Sequence, residues 1–212
     1  HVNNIRRQTG IHCDIWMENK LENTDFKAGF AGIKPNFEKE RIDKQSTLAK
    51  LKMPLYYARN FLVNPAYINP SIPDTYSAFK AYYMEPREVY LLLFDFVPWN
   101  EEEIGRTLIG EYIWERAPDT ESTWRIGDGT AAFYNYIYYT VAGFTEFDTF
   151  RSNQIREGMI GREEALKAVD EENRPRFESM KWYFDTIGVD MERAVKVINA
   201  MPRRYEHSKT IA

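Results

Sequence analysis

Two kinds of apolar spacing run along this chain, and the change from one to the other divides it. In the first part, two short and nearly continuous apolar runs read as strands: Ile11 to Met17, and Val89 to Val97 (Val-Tyr-Leu-Leu-Leu-Phe-Asp-Phe-Val). Such runs predict strands buried on both faces. Residues 1–9 are polar with Val2 and Ile5 apolar, the tail of a helix that Gly10 ends. Helix, glycine and strand in that order predict one unit of a parallel α/β sheet. Residues 18–45 are charged and weakly patterned, with Phe26, Phe30 and Phe37 as anchors. Thr47 to Leu62 has helical spacing that Pro54 breaks or kinks. Residues 64–74 hold Pro65, Pro70 and Pro73 and predict a rigid loop, and Thr75 to Met84 a short aromatic helix with Asp74 or Ser71 as its cap.

From residue 98 onward the spacing is helical throughout. Asn100 caps a helix whose first turn carries Glu101, Glu102 and Glu103, where the helix dipole favours acids. Ile104, Leu108, Ile109, Tyr112 and Ile113 form its apolar stripe. A polar loop spans Arg116 to Gly129. Thr130 to Val141 is an aromatic helix stopped by Gly143, and Asp148 or Thr149 opens another that ends near Gly158. Arg162 to Asn173 is an exposed charged helix. Arg176 to Ile187 follows, and Asp190 caps a last helix with Ala194, Val195, Ile198 and Met201 on its buried stripe. The tail after Pro202 reads as loose.

The expected fold is therefore α/β: a partial Rossmann-like (HUP-type) parallel sheet over residues 1–98, followed by a mainly α-helical region over 99–212. The 212 residues, 43% hydrophobic, suffice for a sizeable core. Lys+Arg 28 against Asp+Glu 32 gives a net charge of -4, which argues against nucleic acid as the main partner. No apolar run is long enough for a transmembrane helix. The one cysteine, Cys13, allows no internal disulfide and suits a reducing, cytoplasmic compartment. Within its apolar run it reads as a small core residue.

Candidate chemistry is sparse. The chain has no glycine-rich phosphate loop and no Cys/His metal spacing. One polar segment between helices, Asp119 to Thr130, contains Trp124, Arg125, Gly127, Asp128 and Gly129. The glycines permit close backbone approach or positive φ. Asp128 can cap the next helix, accept from a ligand hydroxyl or hold a cation; Arg125 can face a ligand or pair with a carboxylate. A second cluster runs from Asp148 to Gly158. There Arg151, Ser152 and Arg156 suit an anionic group at a helix start, or else ordinary ion pairs on a surface helix. Asn69, in the proline-stiffened loop, is a third candidate, against the plain reading of a rigid connector.

Several segments together resemble a known family. They are Asn64-Pro65-Ala66-Tyr67-Ile68-Asn69, Phe94-Asp95-Phe96-Val97-Pro98-Trp99, Thr123-Trp124-Arg125-Ile126-Gly127-Asp128-Gly129, Phe150-Arg151-Ser152-Asn153-Gln154-Ile155-Arg156-Glu157-Gly158 and Arg162-Glu163-Glu164-Ala165-Leu166. Over about residues 50–175 the chain looks like the C-terminal portion of the PP-loop (N-type) ATP pyrophosphatases, nearest to the N-acetyl sugar amidotransferases of surface-polysaccharide biosynthesis. The resemblance implies an ATP- and Mg2+-dependent enzyme that adenylates a carbonyl oxygen, with ammonia from a glutaminase-type partner displacing AMP. It places Arg125 and Asp128 at the active site, with Arg151, Ser152, Arg156 and Asn69 on the substrate side. The family's Ser-Gly-Gly-x-Asp-Ser phosphate loop is not in this sequence. The expectation is thus a member without its N-terminal third, binding no ATP alone. A non-catalytic interaction module, able to form a homo-oligomer, is the alternative; tRNA modification is a third reading that the net charge disfavours.

Overall fold

A computed structural model describes residues 2–17, 47–83, 89–122 and 129–204. The chain separates into two compact units, one ending at Phe96 and the other beginning at Val97.

The first unit holds helix α1 (Val2–Thr9), strand β1 (Cys13–Trp16), helix α2 (Thr47–Val63), a 3-10 turn (Pro65–Tyr67), helix α3 (Ile72–Tyr83), strand β2 (Val89–Leu92) and a second 3-10 turn (Leu93–Asp95). The two strands pair in parallel, Cys13 opposite Val89 and Trp16 opposite Leu92. They are the whole of the sheet among the described residues, and nearly all other regular structure is helical. The expected Rossmann-like parallel sheet is therefore corrected: the described residues are mainly helical, with one short strand pair. The apolar run from Val89 to Val97 is long enough for a central strand, yet it turns into 3-10 structure at Leu93. A two-stranded ribbon has no neighbours to bury both faces. Accordingly Ile15 and Leu91 stay exposed, and so does Cys13, which was expected in a core.

Pro54 sits inside α2 without ending it. Tyr57, Phe61 and Tyr67 line one side, with ring centroids 6.4 Å apart in each successive pair. On another side Leu48, Leu51, Leu55 and Leu62 recur at coiled-coil spacing and are all exposed.

Among the described residues, the buried apolar side chains lie in the second unit. Its helices are α4 (Glu101–Gly110), α5 (Thr130–Ala142), α6 (Glu146–Arg156), α7 (Arg162–Glu172), α8 (Phe177–Ile187) and α9 (Met191–Asn199). The α4 cap is as expected, Asn100 Oδ1 accepting from the Glu103 N–H at 3.0 Å. The helix stops at Gly110, so Tyr112 and Ile113 leave the predicted stripe and become exposed. Helix α6 starts two residues before the expected cap. Thr145 is its N-cap, accepting from the Phe147 N–H, while Asp148 accepts from the Thr145 N–H at 2.8 Å. That reciprocal box satisfies two donors and leaves Asp148 inside the first turn.

Two apolar clusters hold this unit. Phe147 and Phe150 are buried and pack against Trp99. Ala132 of α5 meets Met180 and Phe184 of α8, with Phe133, Tyr136, Tyr183, Met191, Ala194 and Val195 around them. Phe133 stacks on Tyr183 and meets Phe184 edge-on, at 5.8 and 5.0 Å between centroids. Full burial of one such phenylalanine contributes roughly 2–3 kcal/mol. Ile198 of α9 is buried as expected, but Met201 falls beyond the helix and is partly exposed. The tail is pinned at Arg204, whose N–H donates to the Val141 carbonyl at 2.8 Å. Among the described residues no helix is long and apolar enough to cross a membrane.

Candidate functional site

Helix α6 presents Arg151 to two other helices at once. Its Nε donates to Glu172 Oε2 at 3.0 Å, and its Nη2 also bonds Glu172. Its Nη1 and Nη2 donate to the two oxygens of Glu101 at 2.6 and 3.2 Å, and Nη1 also reaches Gln154 Oε1 at 2.8 Å. A guanidinium has five N–H groups, and all five are accounted for. Glu101 lies in the first turn of α4 and Glu172 ends α7, so one side chain ties three helices. The side chains of Arg151 and Glu172 are 11% and 7% exposed, which makes this a buried ion cluster. Burial works against the charged guanidinium, but the hydrogen bonds and charges of Glu172 and Glu101 outweigh it and raise its pKa.

Two of the other expected site residues, Ser152 and Arg156, share α6 with Arg151. Ser152 is half-buried on α6, and Arg156 is exposed at its end, donating to Asn153 Oδ1 at 2.6 Å. Asn69 belongs to the first unit. There its Oδ1 accepts from the Ser71 N–H at 2.9 Å and its Nδ2 donates to the Tyr67 carbonyl, a turn-forming arrangement. Arg125 and Asp128 lie outside the described residues. Gly129, at the end of their segment, is described: it has φ +81 and packs against α8. A Cβ there would lie 3.0 Å from Trp182 Cε3 and 3.3 Å from Tyr183 Cβ. Both the backbone angle and the space require glycine.

Gly129 borders an open cleft of about 620 Å3, lined also by Ile113, Trp114, Arg116, Glu178 and Trp182. Both tryptophans are more than half exposed. Ile113 has φ +52, rare for a β-branched residue. It occupies the left-handed position beyond α4, where the Trp114 N–H returns to the Leu108 carbonyl at 2.9 Å. Helix ends of this type ordinarily carry glycine there.

A second, polar cleft of about 470 Å3 is lined by Glu101, Asp119, Arg151, Glu172, Arg174 and Arg176. Asp119 accepts from the Ser179 N–H at 3.0 Å, from Ser179 Oγ at 2.7 Å and from Arg176 Nε at 3.2 Å. Burial opposes its negative charge, but the Ser179 hydrogen bonds and Arg176 more than compensate, so its pKa is lowered. Asp119 lines the polar cleft, and its partner Ser179 lines the aromatic one.

Sequence reasoning missed Trp114, Trp182 and Asp119 as site residues. Asp119 finds its partners 57 and 60 positions away, which no local pattern announces. Among the described residues no three His, Cys, Asp or Glu side chains gather to hold a metal ion. Compared with known proteins, the chain matches no family model, no curated protein and no solved structure.

Proposed function

We propose that the helical unit holds the acetamido-sugar substrate of an ATP-dependent adenylating amidotransferase, and that the sugar lies in the aromatic cleft. One observation carries this reading. Gly129, the last residue of the Thr-Trp-Arg-Ile-Gly-Asp-Gly run that resembles the family, lies in that cleft against the ring of Trp182. A pyranose has a flat C–H face that suits an indole and a polar rim that needs donors and acceptors. Trp114 and Trp182 offer the first, and Arg116, Glu178 and Ser179 the second.

The chain's own residues do not fit ATP and Mg2+. Strand β2 runs into a 3-10 turn rather than a glycine-rich turn onto a helix, and the sequence has no phosphate loop. No adenylation step is assigned to them. On this reading a glutaminase-type donor supplies ammonia, and the single cysteine fits a cytoplasmic setting.

The test is titration of the protein with N-acetylglucosamine, followed by tryptophan fluorescence and calorimetry. Saturable binding that Trp182→Ala removes is expected. Binding unaffected by Trp182→Ala and Trp114→Ala would sink the assignment.

A second reading has its own observation. The exposed leucines of α2 share their helix with Lys50, Lys52 and Arg59 and with no acid. That face suits an acidic amphipathic helix of a protein partner, which makes the chain an interaction module. Loss of complex formation in Leu51→Asp/Leu55→Asp, with sugar binding absent from the wild type, would favour it.

A further inference from the structure

The aromatic cleft has two walls: the segment 112–118 that follows α4, and helix α8 with Trp182. They are tied together just beyond the first wall, at Asp119. The first N–H groups of a helix lack partners within it, and Arg176, the N-cap of α8, provides no side-chain acceptor. Asp119 supplies one from another part of the chain. Its Oδ2 takes the Ser179 N–H, in the first turn of α8, at 3.0 Å. Its Oδ1 takes Ser179 Oγ at 2.7 Å and Arg176 Nε at 3.2 Å, and Arg176 Nη2 closes the triangle on Ser179 Oγ at 3.2 Å. The side chains of Asp119 and Arg176 are 15% and 6% exposed, so water competes little for these bonds. Trp182 follows Ser179 by three positions, on the neighbouring face of the same helix. Pro118, next to Asp119, stiffens the backbone that leads back to Trp114.

We propose that Asp119 is a positioning residue for the aromatic cleft, fixing the separation of its Trp114 and Trp182 walls and thereby the affinity for the ligand between them. The ligand part of this inference rests on the sugar-binding reading; the geometric part does not. Three donors converge on two carboxylate oxygens. An amide in their place keeps one acceptor oxygen and turns an NH2 toward a donor, so asparagine cannot reproduce the tie. Charge matters as well as shape. Asp119 itself lines the polar cleft, where, besides Arg176 at the N-cap of α8, the charged groups are Glu101 on α4, Arg151 on α6, Glu171 and Glu172 on α7, and Glu121 and Arg174 on the connecting segments.

The experiment compares the full chain with Asp119→Asn, Asp119→Glu and Ser179→Ala. Two readouts are taken: N-acetylglucosamine affinity across pH, and the indole N–H resonances of Trp114 and Trp182, assigned with Trp→Phe variants. Thermal melts establish that each variant is folded, and Ser179→Ala, which keeps the backbone bond, serves if Asp119→Asn does not fold. Asp119→Asn is expected to weaken the sugar by about tenfold, the loss of one charge-assisted hydrogen bond network. In the wild type, protonating Asp119 in acid should break the tie and weaken the sugar; Asp119→Asn should lack that acid loss and move both indole signals, and Asp119→Glu should restore part of the affinity. If the wild type binds no sugar while the indole signals still move in Asp119→Asn, the ligand reading falls and the positioning role stands. Unmoved indole signals together with an unchanged affinity and pH profile would overturn the proposal.

Discussion

The guanidinium of Arg151 holds the carboxylate of Glu101 through two hydrogen bonds, 2.6 and 3.2 Å long, across fifty positions of chain. Glu172 takes the remaining edge of the same guanidinium, and Gln154 bridges back by donating to Glu101 at 3.0 Å. Removing one partner of a buried charge pair strands the others. Arg151→Ala should therefore lower the unfolding free energy by about 3 kcal/mol, at the lower end of the range for broken buried pairs. Arg151→Lys should recover only part of it, since an ammonium cannot make the paired fork. Denaturant unfolding measures both. A loss below about 1 kcal/mol for Arg151→Ala, the size typical of surface pairs, would show that the cluster is solvated rather than buried.

Helices α4, α5, α8 and α9 of the second unit are legible from local punctuation. Asn100, Gly143, Gly188 and Asp190 stand where the structure caps or ends a helix. Of the boundaries that shifted, two have a plain physical reason. Tyr112 and Ile113 continue the spacing of the α4 stripe, but the helix has ended at Gly110 and both residues are exposed. Val89–Val97 has a strand's composition, yet a strand is made by its neighbours, and here it has one partner of four residues. The site was less legible still. Arg151 was singled out because a basic residue near a helix start suits an anion, and the chain itself supplies the anions as Glu101 and Glu172. Glu101 was read as helix-dipole chemistry, which is true and incomplete. Gly129 is readable as a position of positive φ, whereas Trp182, which packs against that glycine, stands off the apolar face of its helix and carries no local signal.

Gly129 combines φ +81 with a ring atom of Trp182 3.0 Å from where a Cβ would stand. Gly129→Ala should destabilise the protein by about 1–2 kcal/mol, the cost of a left-handed backbone for a residue with a Cβ. The displaced indole should shift tryptophan emission, which is read in the native state. Gly161, the N-cap of α7, is the control: it has ordinary φ and open space at its Cβ position, so Gly161→Ala should cost only the cap preference, about 0.5 kcal/mol, and leave tryptophan emission unchanged. Equal effects at the two glycines would remove the close approach as the cause.

Ile113 is the opposite case, a β-branched residue at φ +52 that is 83% exposed. Little burial is lost by replacing it. Ile113→Gly should raise stability by about 1 kcal/mol by relieving the left-handed strain. If the strain is kept because the wall must stand where it does, the same variant should weaken N-acetylglucosamine binding. Strain of this kind persists where surrounding structure over-determines it. Stability and affinity measured on one preparation decide the matter. A variant that is less stable would mean that Ile113 is held by contacts stronger than its backbone strain.

Asp119 gives a pH dependence with a definite sign. Its folded pKa lies below the ordinary 3.8, because the Ser179 N–H and hydroxyl and the Arg176 charge overcome the cost of burying the carboxylate. A depressed carboxylate pKa means that the folded state favours the ionised form. The contribution to stability is therefore fully present well above 3.8 and is lost as the pH falls through that value toward the lower folded one. Other carboxylates titrate in the same window, so the informative quantity is the difference between wild type and Asp119→Asn. That gap should be constant from neutrality to about pH 5 and should narrow below it, because a protonated Asp119 and an asparagine are both neutral. Urea unfolding at a series of pH values gives the gap directly. A gap that holds its width down to pH 3 would mean that the Ser179 and Arg176 donors respond to the shape of residue 119 and not to its charge.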